Sequence, residues 1–359
     1  MLDIIGIGSL NLDLTVSAEK TNALPPEKVR EAKLRLNLGA NRVIGNQDIE
    51  AFISLLGVDA FRANLGGSTF NVIHAIAALN SDIKTGYVGV AGYTGECGLD
   101  FKKLMQELAI DDRYVDAMGN QSSGRCICFN HDGTRSFLFY PGGNSSMAEY
   151  LESRYQEILS YLANVRILHI TAFNDERTPV VLERIVRDVK KINPALIISF
   201  DPGQPWIVKL TPAVIGILKL ADFLFVNRRE YDLLREEASK PLNAANAAGI
   251  YVRYGLTKTI TVVKEEAEIM LYSRNNQQIV EQRFNNLVVS DEQISDFTGA
   301  GDLFAAGFLT AIILNGDDLP AAVDLGMRFM RTKLTTEPEI LFAELRRTFL
   351  EFRKNQIKK

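Results

Sequence analysis

Asp296-Phe297-Thr298-Gly299-Ala300-Gly301-Asp302 runs directly into the apolar stretch Leu303-Phe304-Ala305-Ala306-Gly307-Phe308-Leu309. Small residues ahead of a predicted helix leave backbone N–H groups bare, and the helix dipole adds positive potential there. Such a cradle holds an anion, and Asp302 sets a carboxylate beside it. Charge stabilisation and a proton acceptor are the two parts that phosphoryl transfer to a hydroxyl needs. A tight turn with an N-capping Asp is the alternative local reading.

The helix opened by this stretch belongs to a longer rhythm. Short apolar runs at Ile4–Gly8, Thr85–Val90, Val165–Ile170, Leu196–Phe200, Phe223–Val226 and Thr259–Val263 read as strands. Helical patterns at Thr69–Leu79, Leu99–Leu108, Pro179–Lys191, Pro212–Lys219 and Arg229–Glu237 alternate with them. Apolar strands between amphipathic helices predict an α/β fold: a doubly wound, mostly parallel sheet with helices on both faces. Ligands in such sheets sit beyond the carboxyl ends of the strands.

Two segments break the rhythm. Residues 14–63 begin strand-like and turn helical around Glu27–Arg35 and Asn46–Leu56. Residues 114–140 hold the β-prone runs Gly124–Phe129 and Thr134–Tyr140 around Asn130-His131-Asp132-Gly133, a hairpin signal. The two segments are expected to form a small β-rich lid on a core of residues 1–13, 64–113 and 141–359. Lids exclude water from reactive phosphates.

The 359 residues suffice for a large core. Composition is globular, at 47% hydrophobic and 23% charged. Forty basic against 44 acidic residues give a net charge of −4, which argues against a nucleic-acid or membrane footprint. Cys97, Cys126 and Cys128 are odd in number, and their spacing predicts reduced thiols in a cytoplasmic protein. With His131 alone they make no metal cluster. The first residues show no leader pattern, and no apolar run reaches the length of a membrane span. The basic end, Arg353 to Lys359, is expected to be a solvated helix terminus.

Motif by motif, the chain has no Gly-x-x-x-x-Gly-Lys-Ser/Thr element, and Gly6-x-Gly8 lacks the third glycine of a dinucleotide fingerprint. Asn11 and Asp13 follow the first predicted strand, where they can bind polyol hydroxyls or simply face solvent. Gly66-Gly67-Ser68-Thr69-Phe70-Asn71 is a glycine-rich turn ahead of a capped helix, with room for close backbone approach to a ligand. Asn227-Arg228-Arg229-Glu230 follows a strand, and its amide and carboxylate can hold Mg²⁺ through waters or form a capping box.

Taken in order, these segments resemble the PfkB family of carbohydrate and nucleoside kinases, also called ribokinase-like, over most of the chain. Asp296 to Asp302 is similar to its C-terminal signature, Gly66 to Asn71 to its Gly-Gly-x-x-x-Asn element, and Asn227-x-x-Glu230 to its Asn-x-x-Glu motif. The resemblance implies ATP as donor and Mg²⁺ as counter-ion. It implies Asp302 as base and Gly299, Ala300 and Gly301 as anion hole. Asn11, Asp13, Gly66, Gly67 and Asn71 would hold the acceptor, a sugar or a nucleoside. Arg125 could reach a phosphate or an acceptor hydroxyl, or form a surface ion pair. Thr298, Lys264, Glu265, Asn227 and Glu230 fall on the cofactor side. The helical insert 27–56 is similar to adenosine-kinase-like members.

Two features depart from the family. Lys264-Glu265-Glu266-Ala267-Glu268 stands where glycines are usual, and its acidic groups would repel polyphosphate unless turned away. Leu325-Gly326-Met327-Arg328-Phe329-Met330-Arg331 is bulkier and more basic than the helix that usually borders the base. A ligand sensor without turnover is therefore the second reading. A helix N-terminus is expected to lower the pKa of Asp302. A homodimer paired through the lid is also expected.

Overall fold

Adjacent residues of the first strand face opposite sides of a sheet: Ile4 packs into one apolar cluster and Ile5 into another. That two-residue period, with both sides buried, marks a central strand. The computed structural model describes residues 1–16, 25–36, 41–95, 97–131, 134–235, 243–276 and 278–357. Fourteen strands among these form two sheets. They are β1 (Leu2–Ile7), β2 (Asn11–Val16), β3 (Asn41–Val43), β4 (Arg62–Gly66), β5 (Thr85–Tyr93), β6 (Asp111–Ser122), β7 (Gly124–His131) and β8 (Thr134–Tyr140). They continue with β9 (Val165–Thr171), β10 (Ile197–Asp201), β11 (Phe223–Asn227), β12 (Ile260–Lys264), β13 (Glu268–Asn275) and β14 (Gln278–Asn285).

The large sheet runs β14-β13-β12-β11-β10-β9-β1-β5-β6. From β12 to β6 every pairing is parallel, and only β13 and β14 run antiparallel. Order reverses at β1, so the sheet is doubly wound. One face is covered by helices that include Thr178–Ile192 and Pro212–Leu220, the other by Ser68–Ala78, Ala300–Asn315, Leu319–Thr335 and Leu341–Ile357.

Helix Ala300–Asn315 is buried at every residue from Leu303 to Ile313. Each large apolar side chain there contributes roughly 1.5–3 kcal/mol by leaving water. The helix closes against Leu319–Thr335 at Gly307, where a Cβ would stand 2.6 Å from the Leu325 carbonyl oxygen. A helix so immersed holds its first turn rigidly, and that turn carries Gly299 to Asp302.

The small sheet runs β3-β8-β7-β2-β4. Along β2, Leu12, Leu14 and Val16 point to a separate core shared with Ile49, Phe52 and Leu56 of helix Asn46–Leu56. Asn11 and Asp13 therefore project from the opposite face. Strand pairing corrects the expected division of the chain. Residues 114–122, expected in the lid, lie in β6 and pair with β5 in the large sheet. Residues 11–13 and 64–66, expected in the core, pair with each other in the small sheet. The expected hairpin forms from β7 and β8. Its turn residues 132–133 lie outside the described residues.

Candidate active site

Three chain segments converge on Asp302. Gly299 caps helix Ala300–Asn315 with φ +79°, a left-handed conformation suited to glycine; the Ala300 N–H that follows donates to the Phe297 carbonyl oxygen at 3.2 Å, and the first-turn N–H of Gly301 comes next. A Cβ on Gly299 would lie 3.3 Å from Asn71 Nδ2, and one on Gly301 would lie 3.3 Å from Lys264 Nζ. The small residues thus keep open a space between an amide, an ammonium and Asp302. Asn71 Nδ2 donates to Asp302 Oδ2 at 2.8 Å, and Ser68 also hydrogen-bonds this carboxylate.

Burial pushes the Asp302 pKa up to about 7, opposed by Asn71, reinforced by Asp201, and opposed again by Lys264 and Ser68. The expected lowering by the helix dipole is thus overturned: the carboxylate sits deep enough that desolvation outweighs its favourable neighbours. The shift brings Asp302 into the range useful to a general base.

Asp13 lies on the same centre. Burial first, then the charges of Asp302 and Asp296, push its pKa up to about 8, against a hydrogen bond from the Gly67 backbone. The paired glycines make this approach possible. A Cβ on Gly66 would fall 2.0 Å from Asp13 Oδ2. Gly67, at φ +114°, would put one 2.1 Å from the Ser9 carbonyl oxygen.

Asn11 accepts from Asn144 Nδ2 at 3.0 Å, and Asn144 is fixed by both backbone groups of Leu10. Asn11, Arg125, Asn144 and Asn174 line a pocket together with the apolar side chains of Phe139 and Phe173. Arg125 is ion-paired there with Glu50 of the helical insert.

On the other side, Asn227 N donates to Glu230 Oε2 and Glu230 N to Asn227 Oδ1, both at 2.9 Å: a reciprocal capping box. Burial and Asp201 raise the Glu230 pKa to about 7, opposed by Lys264 and Asn227. Lys264 ends β12 in register with Asn227 and pairs with Asp201 at 3.0 Å. Burial works against its ammonium, but Asp201, Glu230 and Asp302 outweigh it and hold the pKa above the usual.

Glu265 pairs with Arg228 at 2.7 Å, and Glu268 pairs with Arg283. Thr298 N donates to Asp296 Oδ1 at 2.8 Å, and Asp296 pairs with buried Lys333 at 2.6 Å. That pair anchors the loop ahead of the cradle to helix Leu319–Thr335. Between the loop and that helix, Leu287, Val288, Val289, Gln293, Arg331 and Thr335 line an open cleft of about 500 Å³.

The structure thus groups Asp302, Gly299, Ala300, Gly301, Asp13, Gly66, Gly67 and Asn71, with Lys264 alongside. The sequence does not single out Asp201, and it marks Ser68 only as a possible helix cap. Asp201 ends β10, and the carboxyl end of a parallel strand was the signal for it. Among the described residues no three His, Cys, Asp or Glu are grouped to hold a metal, and no helix is long and apolar enough to cross a membrane.

The model of the pfkB family carbohydrate kinases matches residues 40–340. An uncharacterized sugar kinase of Archaeoglobus fulgidus is 28% identical over 246 residues, 68% of this chain and 88% of that one. An ATP-dependent ribose-1-phosphate kinase of Halopiger xanaduensis is 24% identical over 325 residues, covering 88% and 87%. The crystal structure of adenosine kinase from Sinorhizobium meliloti superposes with a TM-score of 0.74 at 18% identity, covering 96% and 98%, and so shares the fold.

Proposed function

Because the chain belongs to the pfkB family of carbohydrate kinases, we propose that it transfers the γ-phosphoryl group of ATP to a hydroxyl of a sugar or nucleoside, with Asp302 as the base. One observation carries this reading. A half-buried carboxylate, its pKa raised to about 7, stands at the N-terminus of a helix opened by a left-handed glycine. The acceptor hydroxyl gives its proton to Asp302 as its oxygen bonds to phosphorus. The bond from the γ-phosphorus to its bridging oxygen breaks, and ADP leaves. The N–H groups of the Gly299–Gly301 segment stabilise the oxygens of the moving group. Positioning supplies most of the remainder.

Asn11, Asp13, Gly66, Gly67 and Asn71 hold the acceptor, and Arg125 reaches its outer end. Near pH 7 a largely protonated Asp13 both accepts and donates hydrogen bonds, which suits a hydroxyl partner. Thr298 and the cleft beside Arg331 lie on the donor side.

Asn227 and Glu230 spend their inward groups on the capping box, so they fit Mg²⁺ only through its waters, with Asp201 nearby. Bound there, the ion would neutralise polyphosphate charge. The acidic run behind the sensor reading is partly neutralised, Glu265 by Arg228 and Glu268 by Arg283, which reduces its repulsion of polyphosphate. Self-association through an edge of the small sheet, β3 or β4, remains part of the proposal, and sedimentation of the free protein tests it. ADP release from Mg·ATP across a panel of sugars, sugar phosphates and nucleosides tests the activity. Silence across the panel, with thermal shifts from the same compounds, would favour a sensor.

A further inference from the structure

Lys264 is an unusual cation for its position. It emerges from the last residue of a parallel strand with its side chain 11% exposed. Its Nζ stands 3.3 Å from the point a Gly301 Cβ would occupy, at the open side of the anion cradle. Its hydrogen bond goes to Asp201 at 3.0 Å, and the Phe225 ring lies 5.7 Å behind it. An ammonium carries three donors. Asp201 and the ring fix the head of the side chain where it stands, beside Gly301. The carboxylates that face it are Asp201, Glu230 and Asp302.

We propose that Lys264 is a built-in cation of the transfer centre, bonding an oxygen of the γ-phosphoryl group opposite the Gly301 N–H, with Asp201 as its positioning residue. The inference rests on the kinase reading and extends it to donor discrimination. A charge aimed at the terminal phosphate distinguishes a triphosphate from a diphosphate. A helix N-terminus alone does so less sharply, because its potential spreads over the whole first turn. A fixed cation in a water-poor site also stabilises charge on the transferring group without reorganisation.

The test compares wild type with Lys264→Arg, Lys264→Met and the double variant Lys264→Met/Asp201→Asn. ATP and ADP affinities are measured by calorimetry with no acceptor, and turnover is measured with the best acceptor. Lys264→Met is expected to lower turnover by about 10²–10³-fold and to erase the preference for ATP over ADP while ADP binding holds. Lys264→Arg should recover part of both. The double variant covers the case in which Lys264→Met fails to fold, because it also neutralises Asp201, the carboxylate hydrogen-bonded to Lys264. It should melt near wild type yet stay slow and indifferent to the γ-phosphate. Restoration of turnover and ATP preference in the double variant would reduce Lys264 to a neutralising partner of Asp201 and overturn the proposal. So would a wild type without ATP preference. A wild type that prefers ATP but turns over no acceptor would instead count against the kinase reading.

Discussion

Asn71 Nδ2 lies 2.8 Å from Asp302 Oδ2, so a residue of the first turn of one helix fixes the carboxylate on the first turn of another. The bond spans 231 residues and joins the glycine-rich turn to the anion cradle. It also lowers the Asp302 pKa against the burial that raises it. Asn71→Leu removes the donor and is expected to move the acid limb of the pH–rate profile upward. An unmoved limb would show that the pair does not set the titration of the base.

The wild-type profile has a defined sign. In the proposed reaction Asp302 works as the carboxylate, and burial holds its pKa at about 7. Activity should therefore fall as pH drops through about 7 and level off above it. A plateau reaching down to pH 5 would contradict this assignment.

Stability carries the opposite dependence. Asp13 titrates at about 8 in the folded chain and near 3.8 when unfolded. The folded state therefore binds more protons across that window, and stability falls as pH rises from about 4 to about 8. Asp302 and Glu230 act in the same sense up to about 7. Asp13→Asn, uncharged at any pH, is expected to raise the melting temperature at pH 8 more than at pH 5, while weakening the acceptor. Melting curves at the two pH values, with acceptor titrations, check both halves.

The glycines of the turn are expected to separate by mechanism. Gly67→Ala meets the Ser9 carbonyl oxygen and a φ of +114°, and should cost several kcal/mol of stability, with strain alone worth about 1–3 kcal/mol. Gly66→Ala displaces Asp13 and should weaken the acceptor most. Gly57→Ala has a φ of +88° with open space around it and isolates the strain. Denaturant melts and acceptor binding order the three.

Lys333→Met leaves Asp296 without its partner and frees the loop ahead of the cradle. Breaking a buried pair from one side costs about 3–5 kcal/mol, and this pair is half-sheltered, so a smaller loss is expected. Nucleotide affinity should fall with it. A fall in stability alone would detach this pair from the donor site.

Much of this was legible in the sequence where the signal is local. Buried strands such as Phe223–Asn227 announce themselves by continuous apolar runs, and Gly299 to Asp302 by small residues before a helix. Sheet membership was not legible for β6, because its place is set by pairing with β5 across intervening chain. The hairpin of β13 and β14 was missed because β14 is half-exposed and rich in polar residues. The capping box at Asn227 and Glu230 fitted the residues as well as a metal site did, and only bond partners separate the two. The direction of the Asp302 shift was misjudged because a dipole is read from adjacent residues, while burial depends on what the rest of the chain packs over them.

The most direct measurement is turnover of Asp302→Asn with saturating Mg·ATP and the best acceptor of the panel, alongside acceptor affinity. Asparagine keeps the shape and cannot take the proton. Turnover is expected to fall by about 10²–10⁴-fold, with acceptor affinity changed only a few-fold. Turnover near wild type would remove Asp302 from the mechanism and with it the central claim.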